Sequence, residues 1–249
     1  MTLHILSDQK KLGIEAGKKA AELIKKAIKG KGNATIILAT GSSQFETLKH
    51  LTDEQDIEWN KVTMFHLDEY IGLPPSHNAS FRKYLTERFL NKIPSLQSVN
   101  LINGETDPQI ELRRLNDLIN RFPVDVALIG IGENGHIAFN DPPADFETPL
   151  PYIIANLDQA CRQQQVNELW FDSVSEVPMQ AISMSVKQIM LSEYIICSVP
   201  GARKARAVKD CLEQTVSNMH PASILQNHPN CLLFLDKDSA SLLKGGKHA

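Results

Sequence analysis

Ala34-Thr-Ile-Ile-Leu-Ala39 runs directly into Thr40-Gly41-Ser42-Ser43, and this junction decides the fold. Consecutive rather than alternating apolar residues mark a strand buried on both faces, and such strands belong to parallel sheets covered by helices. Upstream, residues 8 to 29 set Leu12, Ala16, Ala20, Leu23 and Ala27 on one helical face. Gly30-Lys31-Gly32-Asn33 ends that helix. The unit then recurs. Further strands are expected at 61–67, 125–129, 193–199 and 231–235. Helices are expected near Gln44, at 78–91, 107–120 and 201–214, with a short one from 238. The alternation predicts a single α/β domain over residues 1–249, built on a mostly parallel open sheet with helices on both faces.

Composition narrows the class. The 249 residues are 42% hydrophobic and 22% charged, and 26 Lys and Arg stand against 29 Asp and Glu. Nothing in that balance favours nucleic acid or an anionic membrane as a partner. No apolar run approaches the roughly 20 residues of a membrane span, and the N-terminus does not read as a secretory signal. Cys161, Cys197, Cys211 and Cys231 have no C-x-x-C spacing and read as reduced core residues. These features predict a cytoplasmic protein. One stretch breaks the pattern. Residues 141 to 178 carry Pro142-Pro143 and Pro149-Leu-Pro151, then the polar run Ala160-Cys-Arg-Gln-Gln-Gln-Val166. This stretch reads either as a solvated insertion or, from about 145 to 178, as a mobile lid.

Ligands of open parallel sheets bind beyond the carboxyl ends of strands, which selects four loops. Thr40-Gly41-Ser42-Ser43 is either a plain helix cap or an anion cradle of free N–H groups. Asp68-Glu69 places two carboxylates at a strand end, where one can face a cleft while the other points away. A partly buried carboxylate with a raised pKa suits a general base. Gly130-Ile-Gly132-Glu-Asn134-Gly135-His136 contains a formal G-x-G-x-x-G. The residues that follow, Ile-Ala-Phe-Asn140-Asp141-Pro142-Pro143, do not read as the helix a dinucleotide site requires. His136 at that rim is a candidate acid–base group, with Asn134 and Asp141 beside it. Pro200-Gly-Ala-Arg-Lys204 brings cations to a helix start, where a bound anion would offset their conflict with the helix dipole. No metal-binding spacing and no serine-nucleophile elbow is present.

Two segments carry a resemblance. Leu67-Asp-Glu-Tyr-Ile-Gly-Leu-Pro74 and Gly132-Glu-Asn-Gly-His-Ile-Ala-Phe-Asn-Asp-Pro142 resemble the glucosamine-6-phosphate deaminase (isomerase) family, within the superfamily that includes 6-phosphogluconolactonases. The likeness runs from about residue 8 to 243 and implies a Rossmann-like fold. Asp68-Glu69-Tyr70 and Gly135-His-Ile-Ala-Phe-Asn140 are similar to the deaminase branch rather than the lactonases. The resemblance implies that Asp68 moves a proton between sugar C2 and C1. It implies that His136 opens the pyranose ring, with Asn134 and Asp141 orienting it. Thr40, Gly41, Ser42 and Ser43 would hold phosphate with Lys204, and Arg162 would close onto it from the lid. No cofactor or metal is implied, and the partner is a small sugar phosphate. Monomer and homo-oligomer stay open. Asn134 and Asp141 stand where the family's usual pattern has Asp and Glu, a departure that could alter rate or substrate. The alternatives to this reading are galactosamine-6-phosphate deamination, lactone hydrolysis, or a non-catalytic sugar-phosphate sensor.

Overall fold

The chain enters the fold through β1 (Thr2–Leu6), an edge strand whose first two residues are exposed. A half-covered edge lacks the doubly apolar signature, so the sequence does not announce it. The computed structural model describes residues 1–244. α1 (Gln9–Lys31) begins where the Asp8 carboxylate accepts from the Lys11 N–H and stops at Gly32, φ 85. β2 (Ala34–Leu38), α2 (Phe45–Asp53), β3 (Val62–His66) and β4 (Asp68–Tyr70) follow. Next come α3 (Phe81–Arg88), β5 (Ser98–Asn100), α4 (Pro108–Ile119) and β6 (Val126–Ile129). The pattern-breaking stretch contains β7 (Tyr152–Asn156) and α5 (Gln159–Asn167), and leads into β8 (Gln180–Met184) and α6 (Val186–Met190). β9 (Tyr194–Val199), α7 (Ala205–Glu213) and β10 (Cys231–Asp236) complete the order.

Seven strands form one parallel sheet in the order β1-β10-β9-β6-β2-β3-β5. β4, β8 and β7 form a separate antiparallel sheet. The expected architecture is therefore present, with the small second sheet as an addition. Helices cover both faces. Residues 36, 38, 62, 64, 126, 128, 196 and 234 face the side of α1, α2 and α3. Residues 37, 65, 127, 129, 195, 197, 233 and 235 face the side of α4, α6 and α7. This strict pleat alternation, apolar on both sides, is why these strands read as continuous apolar runs.

Two expectations change. The short helix expected from 238 is a series of turns at 237–244. The 141–178 stretch, read only as an insertion or a lid, also carries an unexpected strand: β7 pairs along its whole length with β8 in register Tyr152↔Met184 to Asn156↔Gln180. β7 and β8 mix apolar residues with Asn156, Gln180 and Ser183, so they escape a search for continuous apolar runs.

α1 and α2 pack closely because α1 carries glycines at the contact. A Cβ on Gly13 would lie 2.2 Å from Glu46 Cβ and 2.7 Å from its carbonyl carbon, whereas one on Gly30 would meet nothing within 4 Å. Gly13→Ala is therefore expected to cost about 1–3 kcal/mol despite alanine's better helix propensity. Gly30→Ala should stabilise by roughly 0.5–1 kcal/mol. Urea unfolding of both variants checks the contrast, and a destabilised Gly30→Ala would contradict it.

Candidate active site

β2 runs on toward β3 and β5, whereas β6 runs on toward β9 and β10. The strand order reverses between β2 and β6, and a crevice opens over their carboxyl ends. A cleft of about 590 Å³, part of it open to solvent, lies there. Thr40 to Ser43 line it from the β2 loop and Gly130 to Gly132 from the β6 loop, with Asp68, His136 and Lys204 reaching in. The two loops are tied by Gln44 Nε2, which donates to the Ile129 carbonyl at 3.0 Å. Gly130 leaves room for this approach, since a Cβ there would sit 3.0 Å from Ser43 Oγ.

The adjacent carboxylates divide as the sequence suggests. Glu69 is fully buried. It accepts from the N–H groups of Tyr70, Phe81 and Arg82 and from Ser80 Oγ, at 2.8 to 3.2 Å. It thereby fastens the start of α3. Asp68 faces the cleft instead, and among the described residues nothing donates a hydrogen bond to its carboxylate. Leu67, Phe81, Ala138 and Phe139 line the wall around it. Burial, and then the charge of Glu69, push Asp68 up to about 8. His66, at the end of β3, is buried and neutral: burial, then Arg82, take it down to about 3. It is a core residue.

His136 is held by a small network. Its Nδ1 lies 3.1 Å from Asp141 Oδ1, and its backbone N–H donates to Asn134 Oδ1. Asn134 Nδ2 donates to the same Asp141 oxygen at 3.2 Å, and the Asp158 N–H donates to Asp141 Oδ2. Burial pushes the Asp141 carboxyl up, but His136, the Asp158 N–H and Asn134 outweigh it and hold it below the usual range. The ring stacks on a glycine: a Cβ on Gly132 would lie 2.2 to 2.4 Å from three imidazole atoms. The glycine-rich loop thus makes space for His136, and no helix follows it. The loop is pinned further by Phe139 N–H to Ser183 Oγ and Asn140 Nδ2 to the Met184 carbonyl.

At the other end of the cleft the β2 and β9 loops repeat one device. Gly41 (φ 94) and Gly201 (φ 93) each open a single 3-10 turn, residues 42–44 and 202–204, before α2 and α7. Lys204 is buried to 8% exposure beside Ser42. Burial lowers its ammonium, against the pull of Glu168 and Glu133.

The structure brings together Thr40, Gly41, Ser42, Ser43, Asp68, His136 and Lys204, with Asn134 and Asp141 behind His136. It does not bring Arg162. That guanidinium donates to the carbonyls of Val174 and Val177 at 2.5 to 3.2 Å, folding the residues after α5 back onto the helix. Sequence reasoning misses Gln164, Gln165 and Glu168, which line the cleft. For the two glutamines the signal is the polar run at 160–166, where two of three consecutive glutamines are buried; Glu168 lies beyond that run.

The family model for glucosamine-6-phosphate isomerases/6-phosphogluconolactonase matches residues 7–234, and the chain belongs to that family. A glucosamine-6-phosphate deaminase of Lactobacillus delbrueckii subsp. bulgaricus is 37% identical over 92% of this chain and 96% of its own length. One from Oenococcus oeni is 36% identical over 98% of this chain and 99% of its own. Among solved structures, a monomeric glucosamine-6-phosphate deaminase superposes with a TM-score of 0.88 at 30% identity, over 97% of this chain and 100% of that one. The 6-phosphogluconolactonase of Trypanosoma brucei shares the fold, with a TM-score of 0.80 at 19% identity over 98% of each chain.

The raised Asp68 pKa makes a stability prediction. The fold favours the neutral carboxyl, so this group's contribution is fully present below about pH 4 and is lost as pH rises through about 8. Asp68→Asn, which cannot ionise, is expected to raise the melting temperature by about 3–8 °C at pH 8. The gain should shrink toward zero near pH 4. Thermal melts across that range check it, and a pH-independent difference would argue against a buried titrating carboxyl.

Proposed function

We propose that the chain is a glucosamine-6-phosphate deaminase, converting glucosamine 6-phosphate and water to fructose 6-phosphate and ammonia. The observation that carries this reading is one cleft holding an unbonded buried carboxyl, Asp68, and a carboxylate-backed imidazole, His136, with a cation and free N–H groups at its far end. The close likeness to curated deaminases over nearly the full chain supports it.

In this reading the substrate phosphate sits in the Thr40–Ser43 turn, where the N–H groups before α2 and Lys204 meet it. That clamp, remote from the reacting carbons, supplies positioning. The pyranose extends along the cleft toward His136. Asp141 and Asn134 fix the imidazole, which moves a proton between ring oxygen and O1 hydroxyl to release the open-chain aldehyde. The aldehyde acidifies the C2 proton. Asp68 takes that proton, leaving an enolamine, and returns it at C1. The product is a C2 imine, to which water adds and from which ammonia leaves. A base that operates with a pKa near 8 is far stronger than an ordinary carboxylate and holds the proton between the two transfers. We also infer cytoplasmic residence, with which four free, buried cysteines are in keeping.

Three measurements test this. Purified protein with glucosamine 6-phosphate should release ammonia at about 1–10³ per second, with galactosamine 6-phosphate and 6-phosphogluconolactone run alongside. Ammonia only from the galacto epimer would move the substrate and keep the chemistry; acid release from the lactone alone would overturn the reading. Asp68→Asn should abolish hydrogen exchange at C2 in deuterated water while phosphate still binds. For the wild type, kcat/KM should climb with pH toward a limb near 8. A limb near pH 4 would remove Asp68 from the role of base.

A further inference from the structure

The phosphate cradle already holds an anion, and it belongs to the chain. Glu168, the residue that ends α5, projects into the cleft. Its Oε2 accepts from Ser42 Oγ at 3.1 Å. Its Oε1 lies 4.0 Å from Lys204 Nζ. Gln164 Nε2 and Trp170 Nε1 complete its shell, at 2.7 and 3.4 Å. The side chain is 7% exposed. Ser42 and Lys204 are the same two groups that the functional reading assigns to phosphate. A carboxylate and a phosphate cannot share them, because like charges a few ångströms apart in a buried cleft repel strongly.

We propose that Glu168 is an internal stand-in for the substrate phosphate, and that phosphate entering the cradle displaces it from Ser42 and Lys204. The proposal rests on the deaminase reading only for the location of the phosphate end. Displacement is local. Glu168 and Trp170 lie in the turn that closes α5, where Leu169 holds the left-handed φ of 63 that glycine usually takes. Arg162 ties residues 174 and 177 to the same helix, so the turn and its flank move with the end of α5. The consequence is discrimination. An anion must outcompete a resident carboxylate already desolvated and hydrogen-bonded, so weak monoanions are excluded and a dianion is selected. Substrate affinity is lowered by the same competition.

The test uses inorganic phosphate and the full chain. Glu168→Gln keeps the shape and removes the charge. Calorimetric titration should show inorganic phosphate binding about tenfold more tightly than in the wild type, and Lys204→Met should abolish binding in both backgrounds. The chain has two tryptophans, so in Trp59→Phe protein the emission of Trp170 should shift on adding phosphate as its indole loses Glu168. The KM for glucosamine 6-phosphate should fall in Glu168→Gln in step with the phosphate constant. An unchanged or weakened phosphate affinity in Glu168→Gln overturns the proposal, as does a Trp170 emission indifferent to phosphate. Neither binding readout requires turnover. Phosphate-driven displacement without ammonia release would sink the deaminase reading alone, and ammonia release with phosphate affinity unmoved by Glu168→Gln would sink this one alone.

Discussion

Everything in the site depends on a reversal of direction at the middle of the sheet. β2 leads toward β3 and β5, and β6 leads toward β9 and β10. Right-handed crossovers from the two strands go to opposite sides, so their loops diverge and leave a crevice between them. The crevice is lined by backbone because both loops start with glycine or small residues. Ser43 can come close to Gly130, and Gln44 can reach across to Ile129, because Gly130 has no side chain. The cleft is therefore a result of strand order, and the chemistry is added to it from β4, the His136 loop and α5.

Desolvation then divides the labour among carboxylates that the sequence lists as equals. Glu69 and Asp68 are neighbours, and both are buried. Glu69 receives one hydroxyl and three N–H groups, which work against burial, although burial is the larger effect and still leaves its carboxyl above the usual range. Asp68 receives none among the described residues, so burial wins and its proton is held tightly. Asp141 goes the other way: with donors on both oxygens and an imidazole beside it, its carboxyl is held below the usual range. Carboxylates in one cleft wall thus end in different states according to how donors and neighbouring charges weigh against burial.

How much of this is legible in the sequence follows from the same physics. β2, β3, β6, β9 and β10 are legible because burial on both faces demands apolar residues at every position. Asp68, His136 and Lys204 are legible because strand ends of a parallel sheet are where ligands bind. β1, β5, β7 and β8 are less so: edge strands need only partial apolarity, and β7 and β8 interrupt their apolar residues with Asn156, Gln180 and Ser183. Gly132 is readable as a loop glycine but not as the seat of an imidazole, because nothing local says which side chain will stack on it. Arg162 shows the limit most plainly. A cation on a polar excursion suits a phosphate, yet carbonyls of residues 12 and 15 positions later in the chain satisfy it first.

α5 is the element that composition alone would dismiss, and it is the one that joins the two ends of the cleft. Nine residues at 1.5 Å each make a rod of about 14 Å, the scale of a phosphorylated hexose. At its start, the Asp158 N–H holds Asp141, which holds His136. At its end, Glu168 holds Ser42 and faces Lys204. Between them, Gln164 accepts from the Glu133 N–H in the loop that carries His136. One short helix therefore contacts both the Asp141–His136 pair and the Ser42–Lys204 pair. The polarity that makes the 160–166 run look like a solvated surface is what lets that helix lie against a polar cleft.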